Sequence, residues 1–170
     1  MNRLFIGITG NMGAGKTTLA NAIERNYPEV EVRPFAEKVK EIARMMGWNG
    51  QKDDKGRRLL QLIGTECGRD CLGDDIWVRH WLSSLSDSEG WPMIVVADDV
   101  RFANEAAAIR SLGGIIVRVD RPGYCGNGHA SETQAVEADM TIRNVATVAD
   151  LEDRASTVVG FAETVRRSKP

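Results

Sequence analysis

The stretch Gly10-Asn11-Met12-Gly13-Ala14-Gly15-Lys16-Thr17 matches the pattern G-x-x-x-x-G-K-[ST] in full. The apolar run at 4–8 precedes it and predicts a short buried strand, whereas 18–24 predicts the first turns of a helix. A strand, a glycine-rich turn and a helix start form an anion site, because backbone N–H groups and the positive helix end converge there. A glycine-rich turn that binds nothing is the alternative, and the Lys and Thr at its end argue against it.

This phosphate loop supplies the first set of candidate residues. Lys16 can reach the β- and γ-phosphates of a nucleotide, and the Thr17 hydroxyl can ligate Mg²⁺. The expected nucleotide-binding residues are Gly10, Asn11, Met12, Gly13, Ala14, Gly15, Lys16, Thr17 and Thr18.

Length and composition indicate one soluble globular domain, 1–170. The chain has 170 residues, of which 42% are hydrophobic and 27% charged, and its net charge is −2. No global basic field is present to hold a nucleic-acid polymer, although a small anion needs only a local cluster of cations. We expect a small-molecule ligand, and the composition leaves a homodimer open.

Neither a membrane span nor a secretion signal is expected. No apolar run approaches the length of about 20 residues that a span requires, and the first apolar run is a core strand. The three cysteines, Cys67, Cys71 and Cys125, form an odd set without a disulfide framework, which fits a reducing cytoplasm. With only His80 and His129 as further soft ligands, buried or free thiols are favoured over a zinc site.

Short apolar runs alternate with helical patterns along the chain, which predicts an α/β fold with a parallel sheet between helices. The predicted strands are 3–8, 30–35, 93–97, 115–119 and 140–142. The predicted helices are 16–26, 36–46, 55–71, 76–85, 104–112 and 148–166, with Gly113-Gly114 as a helix C-terminal cap. Two longer stretches exceed plain crossovers: a helical insertion at about 36–92 and a glycine-rich loop at about 121–132 that we expect to act as a lid.

The strand at 93–97 ends in two acids and an arginine. Asp98 or Asp99 could hold Mg²⁺ through water or orient an acceptor, and Arg101 could form a forked contact with an acceptor phosphate. The alternative is a helix N-terminal acid and a surface arginine. Because this strand should lie beside the phosphate-loop strand, a functional role is favoured.

The helical insertion contains a second group of candidates. Gly64 and Gly68 interrupt a predicted helix, where each glycine costs about 1 kcal/mol relative to alanine, so another group is expected to approach closely there. Arg69 is the second candidate for an acceptor phosphate. Trp77 could stack on a base, and core packing is equally compatible with its position. Near the lid, either Arg118 or Arg121 could reach the transferred phosphate on closure, with loop–surface ion pairs as the alternative.

Taken together, these motifs resemble the bacteriophage deoxynucleoside monophosphate kinases, a branch of the P-loop nucleotide and nucleoside kinases. The resemblance covers most of the chain and rests on the phosphate loop, 35–40, 60–65 with Arg69 and Trp77, 99–106, 129–132, and Asp139, Ile142 and Asn144. The sequence departs from the family pattern at Glu37-Lys38, where Asp-Pro is expected, and at Ala103, where Pro is expected. The first departure keeps an acid but changes its reach.

The resemblance implies a three-layer α/β/α fold with a five-stranded parallel sheet, ATP with Mg²⁺, and a deoxynucleoside monophosphate (dNMP) as acceptor. It also implies the host cytoplasm as location if the chain is phage-encoded. The expected catalytic residues are Lys16, Arg69, Arg101 and Arg121, and the expected metal-site residues are Thr17, Asp98 and Asp99. The expected acceptor-binding residues are Phe35, Ala36, Lys40, Gly64, Thr65, Arg69, Trp77, Asp99, Arg101 and Glu132.

Two alternatives remain open. A kinase of another small acceptor, such as dephospho-coenzyme A, shikimate or a phosphorylated alcohol, would need a carboxylate base for a hydroxyl group, for which Glu37 or Asp99 is available. A non-catalytic ATP-binding switch would bind ATP without acceptor-dependent turnover. The two arginines outside the phosphate loop argue against such a switch.

Overall fold

The computed structural model describes residues 3–85, 93–123 and 136–168. They form two compact units. The first unit runs to Pro34 and resumes at Glu89, and the second is Phe35–Ser88, which covers most of the predicted insertion. No helix of the described residues is long and apolar enough to cross a membrane.

The first unit is built on a five-stranded parallel sheet, as the sequence predicts. Its strands are β1 (Leu4–Thr9), β2 (Val30–Val32), β3 (Ile94–Ala97), β4 (Ile115–Asp120) and β5 (Met140–Arg143), in the spatial order β2-β3-β1-β4-β5. β1 therefore lies at the centre, between β3 and β4. β2 is shorter than predicted, because Pro34 follows closely and has no N–H for a sheet hydrogen bond.

Helices cover both faces of this sheet. On one face, alternate strand residues such as Ile6, Val96 and Val117 pack with α1 (Lys16–Asn26) and α6 (Val148–Ser168) into the main core. On the other face, α5 (Ala103–Ser111) lies against the strands. The alternation follows from the two-residue period of a strand, and it produces the expected α/β/α layers.

Glycine determines how closely α5 approaches the sheet. A Cβ at Gly7 in β1 would lie 2.6 Å from Ile109 Cδ1 and 2.9 Å from Val100 Cγ2. At the other end of the helix, the N–H groups of Gly113 and Gly114 donate to the carbonyls of Arg110 and Ile109, which is the predicted glycine cap.

The second unit is helical. It contains α2 (Glu37–Met45), α3 (Asp54–Gln61), a π-helix (Leu62–Asp70) and α4 (Ile76–Ser84). Its core is Val39, Ala43, Ile63 and Trp77. The single helix predicted at 55–71 is thus an α-helix that continues as a π-helix. A Cβ at Gly68 would lie 2.4 Å from Trp77 Cζ2, so the predicted close approach to a helix glycine is the indole ring.

Replacing Gly7 by alanine should destabilise the protein by about 1–3 kcal/mol, because three buried side chains would have to move. Urea unfolding of the purified variant measures this. The matched control is Gly160→Ala in α6, where the added Cβ would meet nothing within 4 Å beyond the adjacent residues and backbone of its own helix. That change should stabilise the protein by roughly 0.5–1 kcal/mol. Equal stability of wild type and Gly7→Ala would contradict the packing argument.

Candidate active site

The phosphate loop turns between β1 and α1 with three glycines in the left-handed or positive-φ region. Their φ angles are 139° at Gly10, 78° at Gly13 and 108° at Gly15. A Cβ at Gly10 would lie 2.2 Å from the carbonyl oxygen of Val119 at the end of β4. No side chain caps α1. Uncapped N–H groups at the start of a helix are suited to bind an anion.

The Lys16 ammonium lies over its own loop. Its Nζ donates to the carbonyl oxygens of Gly10 at 2.7 Å and Asn11 at 2.9 Å. These contacts hold a half-buried positive charge at the glycine-rich turn. A phosphate oxygen carries more negative charge than a carbonyl and would attract the same ammonium more strongly.

Thr17 connects the loop to the end of β3. Its Oγ1 donates to Asp98 Oδ2 at 2.7 Å, and Asp98 is only 9% exposed. Asp99 follows, half-buried. The described residues contain no group of three or more His, Cys, Asp or Glu side chains that could hold a metal. Mg²⁺ needs no such group, because proteins bind it through one or two oxygens and its other ligands are water and phosphate. The Thr17 hydroxyl and the Asp98 carboxylate therefore fit this ion.

The turn after β3 is fixed by backbone hydrogen bonds. Val100 N–H donates to the Ile8 carbonyl at 3.1 Å, which ties the turn to β1. Glu105, 4% exposed, accepts from the N–H groups of Arg101 at 2.8 Å and Phe102 at 3.1 Å through Oε2. Arg101 itself is exposed. Its side chain therefore extends from a rigid backbone, at the edge of the sheet where the carboxyl ends of the strands meet.

A cavity of about 310 Å³ opens beside the phosphate loop. One wall is the loop and the start of α1, and the other is the junction between β5 and α6. Its lining residues are Gly13, Gly15, Lys16, Thr17, Thr18, Arg121, Asn144, Ala146, Val148 and Leu151. The loop part is polar and cationic, whereas the α6 part is aliphatic.

The β5–α6 junction was not predicted from the sequence as part of the site. A usable signal exists in Thr147-Val148-Ala149-Asp150, which has the S/T-x-x-D/E spacing of a capping box. Thr147 N–H donates to Asp150 Oδ2 at 2.9 Å, and Asp150 N–H donates to Thr147 Oγ1 at 3.2 Å. Hydrogen bonds from Thr147 lower the pKa of the Asp150 carboxyl. The cap sets where α6 begins, and thereby where Val148 and Leu151 line the cavity.

The structure separates the two arginines that the sequence left as alternatives. Arg121 lines the cavity, and its Nη1 donates to the Gly13 carbonyl at 3.3 Å. Arg118 instead donates through Nη2 to the Val136 carbonyl at 2.6 Å, so it anchors the chain segment before β5. The geometry favours Arg121 as the arginine that reaches a bound ligand.

In the helical unit, two aromatic candidates take part in packing. Trp77 is 6% exposed, and its Nε1 donates to the Gly64 carbonyl at 2.7 Å. Phe35 is 3% exposed and stacks on Trp81 with ring centroids 4.6 Å apart. For Trp77 these contacts favour the core-packing interpretation over base stacking.

The polar candidates of this unit also have partners within it. Arg69 is 7% exposed and donates through Nη1 to the Asp74 carbonyl at 2.5 Å. Lys40 Nζ donates to Glu37 Oε2 at 3.1 Å, and Arg44 Nη1 donates to Glu37 Oε1 at 3.0 Å. Ala36, Gly64 and Thr65 are half-buried. The acceptor roles of this unit stay predictions.

Part of the predicted lid lies outside the described residues. These are residues 124–132, which include Cys125, His129 and the acceptor candidate Glu132. Of the other cysteines, Cys67 and Cys71 are exposed and free.

The relatives of the chain identify its family. It is 31% identical over 159 residues to a protein of Acanthamoeba polyphaga mimivirus that is provisionally named a deoxynucleotide monophosphate kinase. The match covers 77% of this chain and 81% of the mimivirus protein. The chain belongs to the deoxynucleotide monophosphate kinase family. It is thus a phosphotransferase and a nucleotide kinase.

A second relative agrees over a shorter stretch. The deoxynucleoside-5'-monophosphate kinase of Escherichia phage T5 is 39% identical over 54 residues, which cover 32% of this chain and 21% of the phage protein. No family model matches the sequence.

Solved structures independently support the kinase fold. An unliganded sugar kinase from Janibacter sp. has a TM-score of 0.52 at 18% identity, and the match covers 96% of this chain and 98% of the sugar kinase chain. Shikimate kinase from Aquifex aeolicus has a TM-score of 0.50 at 13% identity, and the match covers 92% of this chain and 96% of the shikimate kinase chain. These similarities concern the fold alone.

Removing the guanidinium at Arg121 should weaken nucleotide binding by roughly 10-fold, the scale of one charge-assisted hydrogen bond. Calorimetric titration of Arg121→Ala with ATP measures this. Arg118→Ala serves as the matched control, because Arg118 contacts the Val136 carbonyl and not the cavity. It should lower the melting temperature but leave ATP affinity near that of wild type. A larger loss of affinity in Arg118→Ala than in Arg121→Ala would reverse the assignment.

Proposed function

We propose that this kinase transfers the γ-phosphoryl group of ATP to a dNMP and forms the diphosphate. The observation that carries the proposal is the assembly of Lys16, Thr17 and Arg121 around one cavity, with Asp98 bonded to Thr17, in a chain of the deoxynucleotide monophosphate kinase family. Each of these groups meets one requirement of phosphoryl transfer, which depends mainly on positioning and positive charge.

The donor nucleotide fits the two parts of the cavity. Its phosphates would lie on the glycine loop, against backbone N–H groups, the start of α1 and Lys16. Its base and ribose would lie against the aliphatic part formed by Ala146, Val148 and Leu151. Val148 is 64% exposed, so a base placed there would cover apolar surface that now faces water.

The residues that would hold magnesium are Thr17 and Asp98, and the ion would supply positive charge to offset the charge of the phosphates. Asp98 is suited to this role, because its carboxylate is buried and already accepts a hydrogen bond from the Thr17 hydroxyl. Asp99, half-buried beside it, is the second candidate.

In the transfer step, an oxygen of the acceptor phosphate forms a bond to the γ-phosphorus while the bond from that phosphorus to the β–γ bridging oxygen breaks. The products are ADP and the acceptor diphosphate. The attacking oxygen is already ionised near neutral pH, so no general base is required. Lys16 stabilises the charge that develops on the transferred group and the leaving oxygen.

The state of Glu37 makes it a poor candidate for the carboxylate base that a hydroxyl acceptor would need, which leaves Asp99 as the base candidate of that alternative. Partial burial alone would raise the pKa of Glu37, but hydrogen bonds and charges from Arg44 and Lys40 outweigh it and lower the pKa below its ordinary value. A carboxylate with a lowered pKa is a weak general base, because it binds a proton poorly near neutral pH.

The acceptor phosphate is proposed to contact Arg101, whose exposed side chain extends from the turn that also carries Asp98 and Asp99. In the helical unit, the residues that stay predictions for acceptor binding are Phe35, Ala36, Lys40, Gly64, Thr65 and Arg69. Arg69 and Lys40 would have to exchange or share their present partners, Asp74 and Glu37, to serve a ligand.

The proposed activity is tested by an assay that couples ADP release to a panel of dNMPs, ribonucleoside monophosphates and dephospho-coenzyme A. With Mg²⁺ and ATP, at least one dNMP should be converted to its diphosphate. The Lys16→Met variant should remain folded and lose roughly 10²-fold or more in turnover. Turnover with dephospho-coenzyme A alone would overturn the dNMP assignment, and a folded Lys16→Met enzyme with normal kcat would overturn the role of Lys16.

Arg101→Ala should lower kcat/KM for the dNMP by roughly 10- to 100-fold, as expected for the loss of a forked charge-assisted contact. Its ATP affinity should stay close to that of wild type, because Arg101 does not line the donor cavity. Lysine at this position should restore activity only in part, since an ammonium lacks the planar fork. Parallel losses in ATP binding and acceptor use would instead place Arg101 with the donor or the fold.

A further inference from the structure

Asn144 joins the end of the sheet to the phosphate loop. Its backbone N–H donates to the Asp120 carbonyl at 2.7 Å, which extends the pairing of β5 with β4 by one residue. Its side-chain Nδ2 donates to the carbonyl oxygen of Ala14 at 2.8 Å. The orientation of the amide follows from this contact, because the other orientation would place two oxygen acceptors against each other.

The same side chain lies against the next residue of the loop. A Cβ at Gly15 would be 2.9 Å from Asn144 Nδ2 and 2.6 Å from Leu151 Cδ2. Since φ at Gly15 is 108°, this position requires glycine for its backbone conformation as well as for space. The loop and the β5–α6 junction are therefore packed together without a gap at this point.

Planarity of the peptide links this contact to ligand binding. The peptide between Ala14 and Gly15 is flat and trans, so its carbonyl and its N–H point in opposite directions. Asn144 holds the carbonyl toward the β5–α6 junction. The N–H of Gly15 must then point away from the group that Asn144 Nδ2 contacts. On the same loop, Lys16 Nζ donates to the carbonyls of Gly10 and Asn11.

We propose that Asn144 is a positioning residue for the donor phosphates: it fixes the Ala14–Gly15 peptide so that the Gly15 N–H faces the bound phosphate chain. It acts through the loop backbone and contacts no reacting atom. The proposal rests on the donor part of the proposed function and not on the identity of the acceptor. It predicts that Asn144 affects the affinity for a polyphosphate that carries no nucleoside.

Because Asn144 also lines the cavity, a direct contact with the base or ribose is the competing explanation. The two explanations differ in the ligand that they affect. A positioning role changes the affinity for inorganic tripolyphosphate, whereas contact with the base changes the affinity for adenosine.

The test uses the full chain with Asn144→Leu, a change of similar size that removes the amide donor. Calorimetric titrations with magnesium tripolyphosphate and with adenosine are compared with wild type, and melting without ligand is recorded. Asn21→Leu, on the exposed part of α1, makes the same chemical change away from the loop and is the matched control.

The expected result for Asn144→Leu is a roughly 10-fold weaker affinity for tripolyphosphate, the scale of one hydrogen bond to a charged group, with adenosine affinity within about twofold of wild type. Unchanged tripolyphosphate affinity, or equal losses for both ligands, overturns the positioning role. If the wild-type protein itself does not bind tripolyphosphate, the proposed donor site is wrong as well. Normal wild-type binding with an unaffected variant refutes the role of Asn144 alone.

Discussion

The close approach of the phosphate loop to the ends of β4 and β5 is the constraint on which the site depends. At Gly10 the loop touches the Val119 carbonyl, and at Gly15 it touches Asn144 and Leu151, with no room for a Cβ at either position. This contact holds the Ala14 carbonyl against Asn144 and brings the β5–α6 junction beside the loop. The cavity exists because these two segments meet, so its charged and aliphatic parts are consequences of one packing arrangement.

A second connection, between the end of β3 and the start of α1, holds a carboxylate beside the phosphate loop. Because β3 is the neighbour of β1, the acid at the end of β3 comes within 2.7 Å of the Thr17 hydroxyl. Glu105 and the Val100–Ile8 hydrogen bond then keep the following turn rigid. The buried carboxylate of Asp98 is thus held against Thr17, and the exposed Arg101 follows three residues later.

The elements with strong periodicity were predicted well, whereas irregular positions were not. The helix at Lys16–Asn26 was predicted with its bounds, since a glycine loop precedes it and its apolar residues have helical spacing. The π-helix at Leu62–Asp70 was predicted as ordinary helix, because the two patterns look alike over nine residues and the indole of Trp77 comes from another element. Similarly, nothing local to Arg118 and Arg121 tells which of them faces the loop.

By itself, the sequence determined the class of fold and the kind of site. A Gly-x-x-x-x-Gly-Lys-Thr turn between a strand and a helix is suited to bind phosphate, since glycine permits the positive-φ turn while Lys and Thr supply charge and a hydroxyl. Only the tertiary structure decided which distant groups complete the site. Asp98, Arg121 and Asn144 each follow a different strand, and each contacts the phosphate loop or the start of α1, because parallel strands end at one edge of the sheet. That adjacency depends on the strand order β2-β3-β1-β4-β5, which no local pattern encodes.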